Sequence, residues 1–377
     1  MSYRLTWQKR RARRRHLRVL IPIAVLLAIA TVAAVSRRRL PERLFWLHEA
    51  GRAADSHIVF GENTIFVAYC DGVIDALEAA TGRSRWGEPF YAATSVHCRP
   101  ALGHGLVFFG ADGFQVRALS AETGAAAWDP PFTTGGAVQS GPSLLADMVI
   151  VGADDGVVYA LDAATGQQRW RCARPRGPIA AAPAIDGDTV YVGSLDGHLY
   201  AIDGRTGRPR WRFPLASARE APRVGSILSD PVVAGGVVCF GSDDGSLYAI
   251  SKQDGTLLAS FQTGGAIRSR PAVSRGRAYF GSGDGIFYKS DLHAGVVRWR
   301  FRAGSPIHSS PALGHDTVYF GADNGKLYAL DEATGSLLWT FQADGQINST
   351  IVRRGGLLFF SAWSGKVYAI RESVAGA

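Results

Sequence analysis

A chain of 377 residues with 47% hydrophobic and 10% aromatic content can bury a large core, and its length alone suggests two or three domains. The formal charge of +9 is concentrated at one end: residues 1–43 hold twelve Lys/Arg against Glu42 alone, a segment charge of +11 that leaves −2 on residues 44–377. A near-neutral body lacks the basic face that phosphate-backbone binding requires, which excludes nucleic acid as a partner.

The first element is the uncharged run of residues 19–35, bounded by an arginine cluster on one side and Arg37, Arg38 and Arg39 on the other. Seventeen residues at ~1.5 Å each make about 25 Å of helix, within reach of a ~30 Å hydrocarbon core. Eight basic residues precede the run and four follow it, so the positive-inside rule keeps the N-terminus in the cytoplasm. The expected layout is a basic cytoplasmic segment over 1–18, a transmembrane signal anchor over 19–36 and a linker over 37–43. A folded body over 44–371 and a tail over 372–377 follow, on the periplasmic or outer side of the cytoplasmic membrane.

Beyond the linker the chain repeats. Trp46, Trp86, Trp128, Trp170, Trp211, Trp299 and Trp339 recur at spacings of 40, 42, 42, 41, 88 and 40, with Ala259 where an eighth tryptophan belongs. A period near 40 residues marks units that cannot bury their apolar faces alone and must stack on neighbours. Each unit reads as four strands separated by Asp/Gly and Thr-Gly turns, with apolar residues alternating with small or polar ones and no helical period. The last unit stops before its fourth strand, and LFWLHEAGRAADSHIV near the start aligns with LLWTFQADGQINSTIV near the end. Strand 44–49 therefore completes the last unit, and an exchange of this kind implies a closed ring. The fold class is all-β: an eight-bladed β-propeller of four-stranded antiparallel blades, preceded by one N-terminal transmembrane helix. The tryptophans are expected on the outermost strands, where blades splay apart; burying each is worth roughly 1.5–3 kcal/mol, and Ala259 is expected to be a weak point.

Near the axis the opposite demand holds. Ser56, Cys98, Ser140, Ala181, Ser229, Ser269, Ser309 and Ser349 occupy one phase ahead of the inner strands, and all are small. Close packing of converging blades explains them without invoking nucleophiles. The residues flanking this ring vary from unit to unit, which is where a propeller can carry function. Asp55, His57, His97, Arg99, Gln139, Asp230, Arg268, Arg270, His308 and Asn348 are the candidate binding residues around one channel mouth, on the face of the Asp/Gly turns. In this reading Arg99, Arg268 and Arg270 attract an acidic group and the histidines make the funnel pH-sensitive. A metal site through His97, His308 and Asp55 lacks supporting ligand spacing. Residues 214–226 form a longer connection on the same face. Cys70 and Cys98 can approach each other on one face, although the four cysteines form no framework. No catalytic triad order, phosphate-binding loop or paired-carboxylate motif stands out.

The segment AxDxxTGxxxW, intact over 160–170 and 329–339, together with VYFGxxDGxLYALD, resembles the tryptophan-docking repeat of quinoprotein propellers over residues 44–371. The resemblance implies one of two classes: dehydrogenases that use pyrroloquinoline quinone with calcium, or non-enzymatic relatives such as the BamB component of outer-membrane barrel assembly. The dehydrogenase pattern includes adjacent cysteines and long insertions, and this chain has neither. The lipoprotein pattern places a cysteine after the apolar segment, whereas the first cysteine here is Cys70. The resulting expectation is a membrane-anchored, extracytoplasmic, BamB-like interaction scaffold without catalytic, cofactor-binding or metal-binding residues. Its partners are other envelope or membrane proteins and, through the helix, the cytoplasmic membrane. A quinone-dependent oxidoreductase, with pyrroloquinoline quinone and calcium as cofactors, and a small-molecule sensor are the alternatives.

Overall fold

The computed structural model describes residues 42–52, 56–214 and 222–373. The segment expected to cross the membrane, residues 19–35, lies outside them; among the described residues no helix is long and apolar enough to do so. The unit Leu44–Ala377 contains eight separate four-stranded antiparallel sheets. Blades one to seven span 56–91, 101–133, 143–172, 184–213, 232–262, 272–302 and 312–342. Blade eight takes three strands from 352–371 and its outer strand from Leu44–Glu49, which pairs with Lys366–Arg371 in the register Trp46 to Ala369 and Glu49 to Lys366. The strand exchange read from the two ends of the sequence is therefore present.

The middle strands differ from a simple in-and-out alternation. In Thr317–Gly321 and Lys326–Asp331, the small residues Gly321 and Ala329 are as buried as Tyr319 and Leu327. Adjacent blades cover both faces of each sheet, so the sequence alternation separates large from small rather than core from solvent. Alternation in exposure is seen in the outer strand Val296–Arg302.

Blades meet through a repeated indole seat. Gly82, Gly124, Gly166, Gly207, Gly255 and Gly335 close the Thr-Gly and related turns with positive φ. A Cβ on each would lie 2.6–2.8 Å from the ring of Trp46, Trp86, Trp128, Trp170, Trp211 or Trp299 of the preceding blade. Five of these indoles also donate Nε1–H to a carbonyl of the same turn: Trp46 to Ala79 (2.9 Å), Trp86 to Ala121 (3.3 Å), Trp128 to Ala163 (3.1 Å), Trp170 to Gly204 (2.8 Å) and Trp299 to Glu332 (3.1 Å). Glycine is required twice over, by left-handed backbone and by ring contact.

Trp86 and Trp128 occupy this seat without lying in a regular outer strand. Their outer edges reduce to the isolated bridges Leu77–Ser84 and Leu119–Ala126 and to the short strands Phe90–Tyr91 and Phe132–Thr133. Pro89, Pro130 and Pro131 follow the tryptophans, and without N–H groups they interrupt the ladder. Blade six departs at its core: Lys289 stands where other blades have alanine. It is buried, with Nζ 2.6 Å from Glu332 Oε1 and 2.7 Å from Glu332 O.

The aspartate of AxDxxTGxxxW organises the turn that carries the glycine. Asp162 Oδ1 accepts from Thr165 N–H and Oγ1–H at 2.8 Å each, while Arg169, beside Trp170, donates Nε–H to Oδ2 at 3.1 Å. Asp203 with Arg210 and Asp291 with Arg298 repeat the clasp. Hydrogen bonds from Arg169 and Thr165, from Arg210 and Thr206, and from the Ala294 backbone and Arg298 hold these three carboxyls at about 2, below their ordinary 3.8.

Trp128→Ala is expected to lower the unfolding free energy by ~3–5 kcal/mol, and Gly166→Ala to destabilise through the same contact. Unchanged denaturant midpoints in both would refute the seat. Because the three clasp carboxyls are depressed, their contribution is complete above pH 3.8 and is lost as pH falls toward 2. Replacing Asp162, Asp203 and Asp291 together by Asn is therefore expected to reduce stability at neutral pH and flatten the acid limb of Tm against pH. An acid limb parallel to that of the parent would contradict the assignment.

Candidate binding site at the channel throat

The ring of small residues sits where the blades converge. A Cβ on Gly110, Gly152, Gly193, Gly241, Gly281 or Gly321 would come within 2.1–2.4 Å of Val138, Ile179, Ile227, Ile267, Ile307 or Ile347 of the next blade. Packing explains smallness but not the preference for serine. In blades seven and eight the hydroxyl clips the blade internally: Ser309 Oγ donates to Gly321 O at 2.8 Å and accepts Gly321 N–H at 2.7 Å, and Ser349 does the same with Ser361. Ser140 and Ser229 instead donate to the next ring residue, to Ala181 O at 3.0 Å and Ser269 O at 2.8 Å. Cys98 replaces serine with its thiol between Gly110 N–H and O, and burial raises that thiol to about 12. No disulfide joins the four cysteines, so the approach expected of Cys70 and Cys98 forms no bridge.

On one side of this ring the candidate residues pair with the Asp/Gly turns of the same face. His97 Nε2 lies 3.3 Å from Asp112 Oδ2, His308 Nε2 lies 3.7 Å from Asp323 Oδ2, and Gln139 donates to Asp154 Oδ2 at 3.2 Å. With its amide oriented to satisfy both groups, Asn348 donates to Asp323 Oδ1 at 2.8 Å and accepts from Trp363 Nε1–H at 3.2 Å. His97, Gln139, His308 and Asn348 each precede such a partner by fifteen positions, a constant spacing present in the sequence but missed there. In blade six the position fifteen beyond Arg268 is Gly283, and Arg268 reaches back to Asp243 of blade five, with Nε 2.9 Å from Oδ1. Burial raises the carboxyls of Asp154 and Asp323 above their ordinary value, and His308 opposes the shift in Asp323. The rim is thus a set of fixed pairs. Asp55 lies outside the described residues, as does part of the 214–226 connection (215–221).

His57 lines the same rim-facing cavity, while Arg99, Asp230 and Arg270 reach past the ring to a deeper one. The three arginines expected to act together are therefore split: Arg268 is held by Asp243 on the rim, and Arg99 and Arg270 are deeper. Arg99, Ala182, Asp230 and Arg270 line both a cavity of about 180 Å³ that opens to the rim and one of about 440 Å³ floored by the inner strands. They form the throat between the two. Asp230 Oδ1 accepts the backbone N–H of Ala182 at 2.7 Å, and the backbone N–H of Arg270 donates to Ser310 Oγ at 3.2 Å. Burial and then the neighbouring Arg99 charge lower the pKa of Arg270, while Asp230 opposes them. Among the described residues neither guanidinium has a carboxylate at ion-pair distance, so two cations share the field of one anion. Such a throat suits a carboxylate, sulfate or phosphate group.

Calcium takes six to eight oxygen ligands. The throat presents guanidinium groups instead, and among the described residues no three His, Cys, Asp or Glu side chains are grouped to hold a metal ion. These residues do not fit a calcium-bound quinone.

Fold and throat together define an eight-bladed propeller of tryptophan-docking repeats around a cationic channel. The chain belongs to the family described as outer membrane protein assembly factor BamB, whose profile matches residues 30–134, 70–250 and 243–374. Among solved structures, BamB from Moraxella catarrhalis superposes with a TM-score of 0.73 at 18% identity, covering 87% of this chain and 99% of that one. The computationally designed Ika8 protein gives 0.75 at 18%, with the same coverage. Quinohemoprotein alcohol dehydrogenase ADHIIG from Pseudomonas putida HK5 gives 0.71 at 14%, covering 89% of this chain and 76% of that one. A search of curated sequences finds no match.

Removing either charge type from the throat should act with opposite sign. Asp230→Ala is expected to cost roughly 1–3 kcal/mol, because it removes an acceptor and the charge that opposes Arg99 and Arg270 among the described residues, whereas Arg270→Gln should leave Tm unchanged or raise it. Equal losses in thermal unfolding would show that the arginines are structurally compensated.

Proposed function

We propose that this protein is a membrane-anchored, extracytoplasmic propeller that serves as a scaffold for other envelope proteins, in the manner of its family. The observation that carries the reading is the rim: its side chains differ from blade to blade, yet His97, Gln139, Arg268, His308 and Asn348 are each fixed by a turn partner. A rigid, non-repeating surface on a closed ring is suited to recognising one protein face, since little side-chain entropy is lost on binding. The apolar run of residues 19–35, with its flanking arginines, supports anchorage in the cytoplasmic membrane with the propeller outside.

The uncompensated charge at Arg99 and Arg270 favours a second reading, in which a small anion entering the throat is sensed by the same surface. A quinone-dependent oxidoreductase is the remaining alternative and finds less support, because the described residues of the throat offer no calcium ligand set.

A photo-crosslinker placed at His97 or Gln139 of the full chain in membranes is expected to trap a defined envelope protein. Placed at exposed Leu338 it should trap none, and Arg268→Glu should abolish the rim product. Equal trapping from both positions, or a bound red-shifted chromophore with dye-reducing activity after addition of quinone and calcium, would overturn the scaffold reading.

A further inference from the structure

Blade five lacks the residue that the other blades insert into their neighbours. Ala259 pairs with Ala249 at the position where Trp339 pairs with Ala329, and it leaves Gly295 of the blade-six turn uncovered. That turn nevertheless keeps the receiving geometry. Gly295 has φ +66 and Gly295 N–H donates to Asp291 O at 3.0 Å, as Gly335 does to Asp331 at 2.9 Å. A Cβ at Gly295 would meet no atom within 4 Å, whereas at Gly255 and Gly335 it would strike an indole at 2.7 and 2.6 Å. Gly295 is exposed, and the glycines under indoles are buried or half-buried. The carbonyl that would receive an indole N–H, Leu292 O, accepts no hydrogen bond from the described residues.

The outer strand of blade five presents apolar side chains around this open turn. Where blades three, four and six clasp an arginine to an aspartate beside the tryptophan, blade five has Leu258 and Ser251. Leu257 and Leu258 are 44% and 54% exposed, and Val296 across the seam is 44% exposed. Ala259 belongs to the apolar cluster that also holds Val237, Val273 and Leu292, and these three line a cavity of about 170 Å³ in the same seam. Leu337 and Leu338 are as exposed beside Trp339 of blade seven, so what distinguishes this seam is the uncovered Gly295 together with the cavity that Leu292 of the same turn lines.

We infer that the seam between blades five and six is a binding site for a single planar aromatic group of indole size, seated on Gly295 and donating N–H to Leu292 O. The argument is one of internal complementarity: the same turn, glycine and carbonyl hold an indole at five other seams. This site lies at the outer wall, away from the throat, and does not depend on the scaffold reading. The aromatic group can come from a free small molecule or from a tryptophan side chain of another polypeptide, and the two share this chemistry.

The test uses the full chain in detergent with 5-fluoroindole, followed by fluorine NMR, and N-acetyl-tryptophanamide as competitor. Saturable binding in the millimolar range or tighter is expected, reduced at least tenfold in Ala259→Trp, which fills the seat from within, and in Ala259→Leu, which fills it in part. Ala259→Trp should also raise Tm. Tighter binding of a tryptophan-containing peptide than of free indole assigns the site to a polypeptide; tighter binding of indole assigns it to a small molecule. No saturable binding, or binding unchanged in the Leu variant, would overturn the inference whether or not the Trp variant folds. Throat variants such as Arg99→Gln should leave the titration unaffected.

Discussion

Everything in this propeller depends on an indole from one blade resting on a glycine of the next. The contact has no meaning within a single repeat, because the ring and its seat belong to different units. Stability is therefore carried by seams, and a seam exists only when both neighbours are folded. Closure adds the last one: Trp46 lies on Gly82 of blade one only because its strand is hydrogen-bonded to the far end of the chain. The first and last strands are in this sense a single structural unit separated by the whole domain.

At the axis the same convergence imposes a different constraint. Blades come so close that strand-two glycines touch the aliphatic side chains of their neighbours, and the ring residues can be no larger than serine or cysteine. Their hydroxyls then satisfy backbone groups that water cannot reach. This rigid ring sets the positions of the variable residues on either side. Those on the rim meet the turns and become paired. Those beneath it face the channel, where Arg99 and Arg270 lie in partial burial with Asp230 as the nearest opposing charge.

The repeat was legible because packing leaves a periodic mark: large at the seam, small at the axis, glycine at the left-handed turn. Ring closure was legible from the alignment of the two termini. The candidate residues were legible as a set because they vary at a fixed phase, but their division was hidden. Positions two apart, such as Arg268 and Arg270, point to opposite sides of the small ring, and only the turn fifteen residues later shows which of them is paired. Asp112 escaped notice for that reason. The burial of Lys289 was also hidden, since its partner Glu332 belongs to the next blade.

The sequence by itself determined the number of blades, the strand order and the tryptophans that join them, because each of these follows from local periodicity and from a contact repeated at six seams. Tertiary structure decided which charges remain available. Whether an arginine is neutralised depends on a carboxylate brought beside it from another turn or another blade, and no local pattern encodes that distance. It decided likewise that Ala259 leaves Gly295 open rather than covered by a neighbour, since a vacancy is a property of the atoms around a position and not of the residue that occupies it.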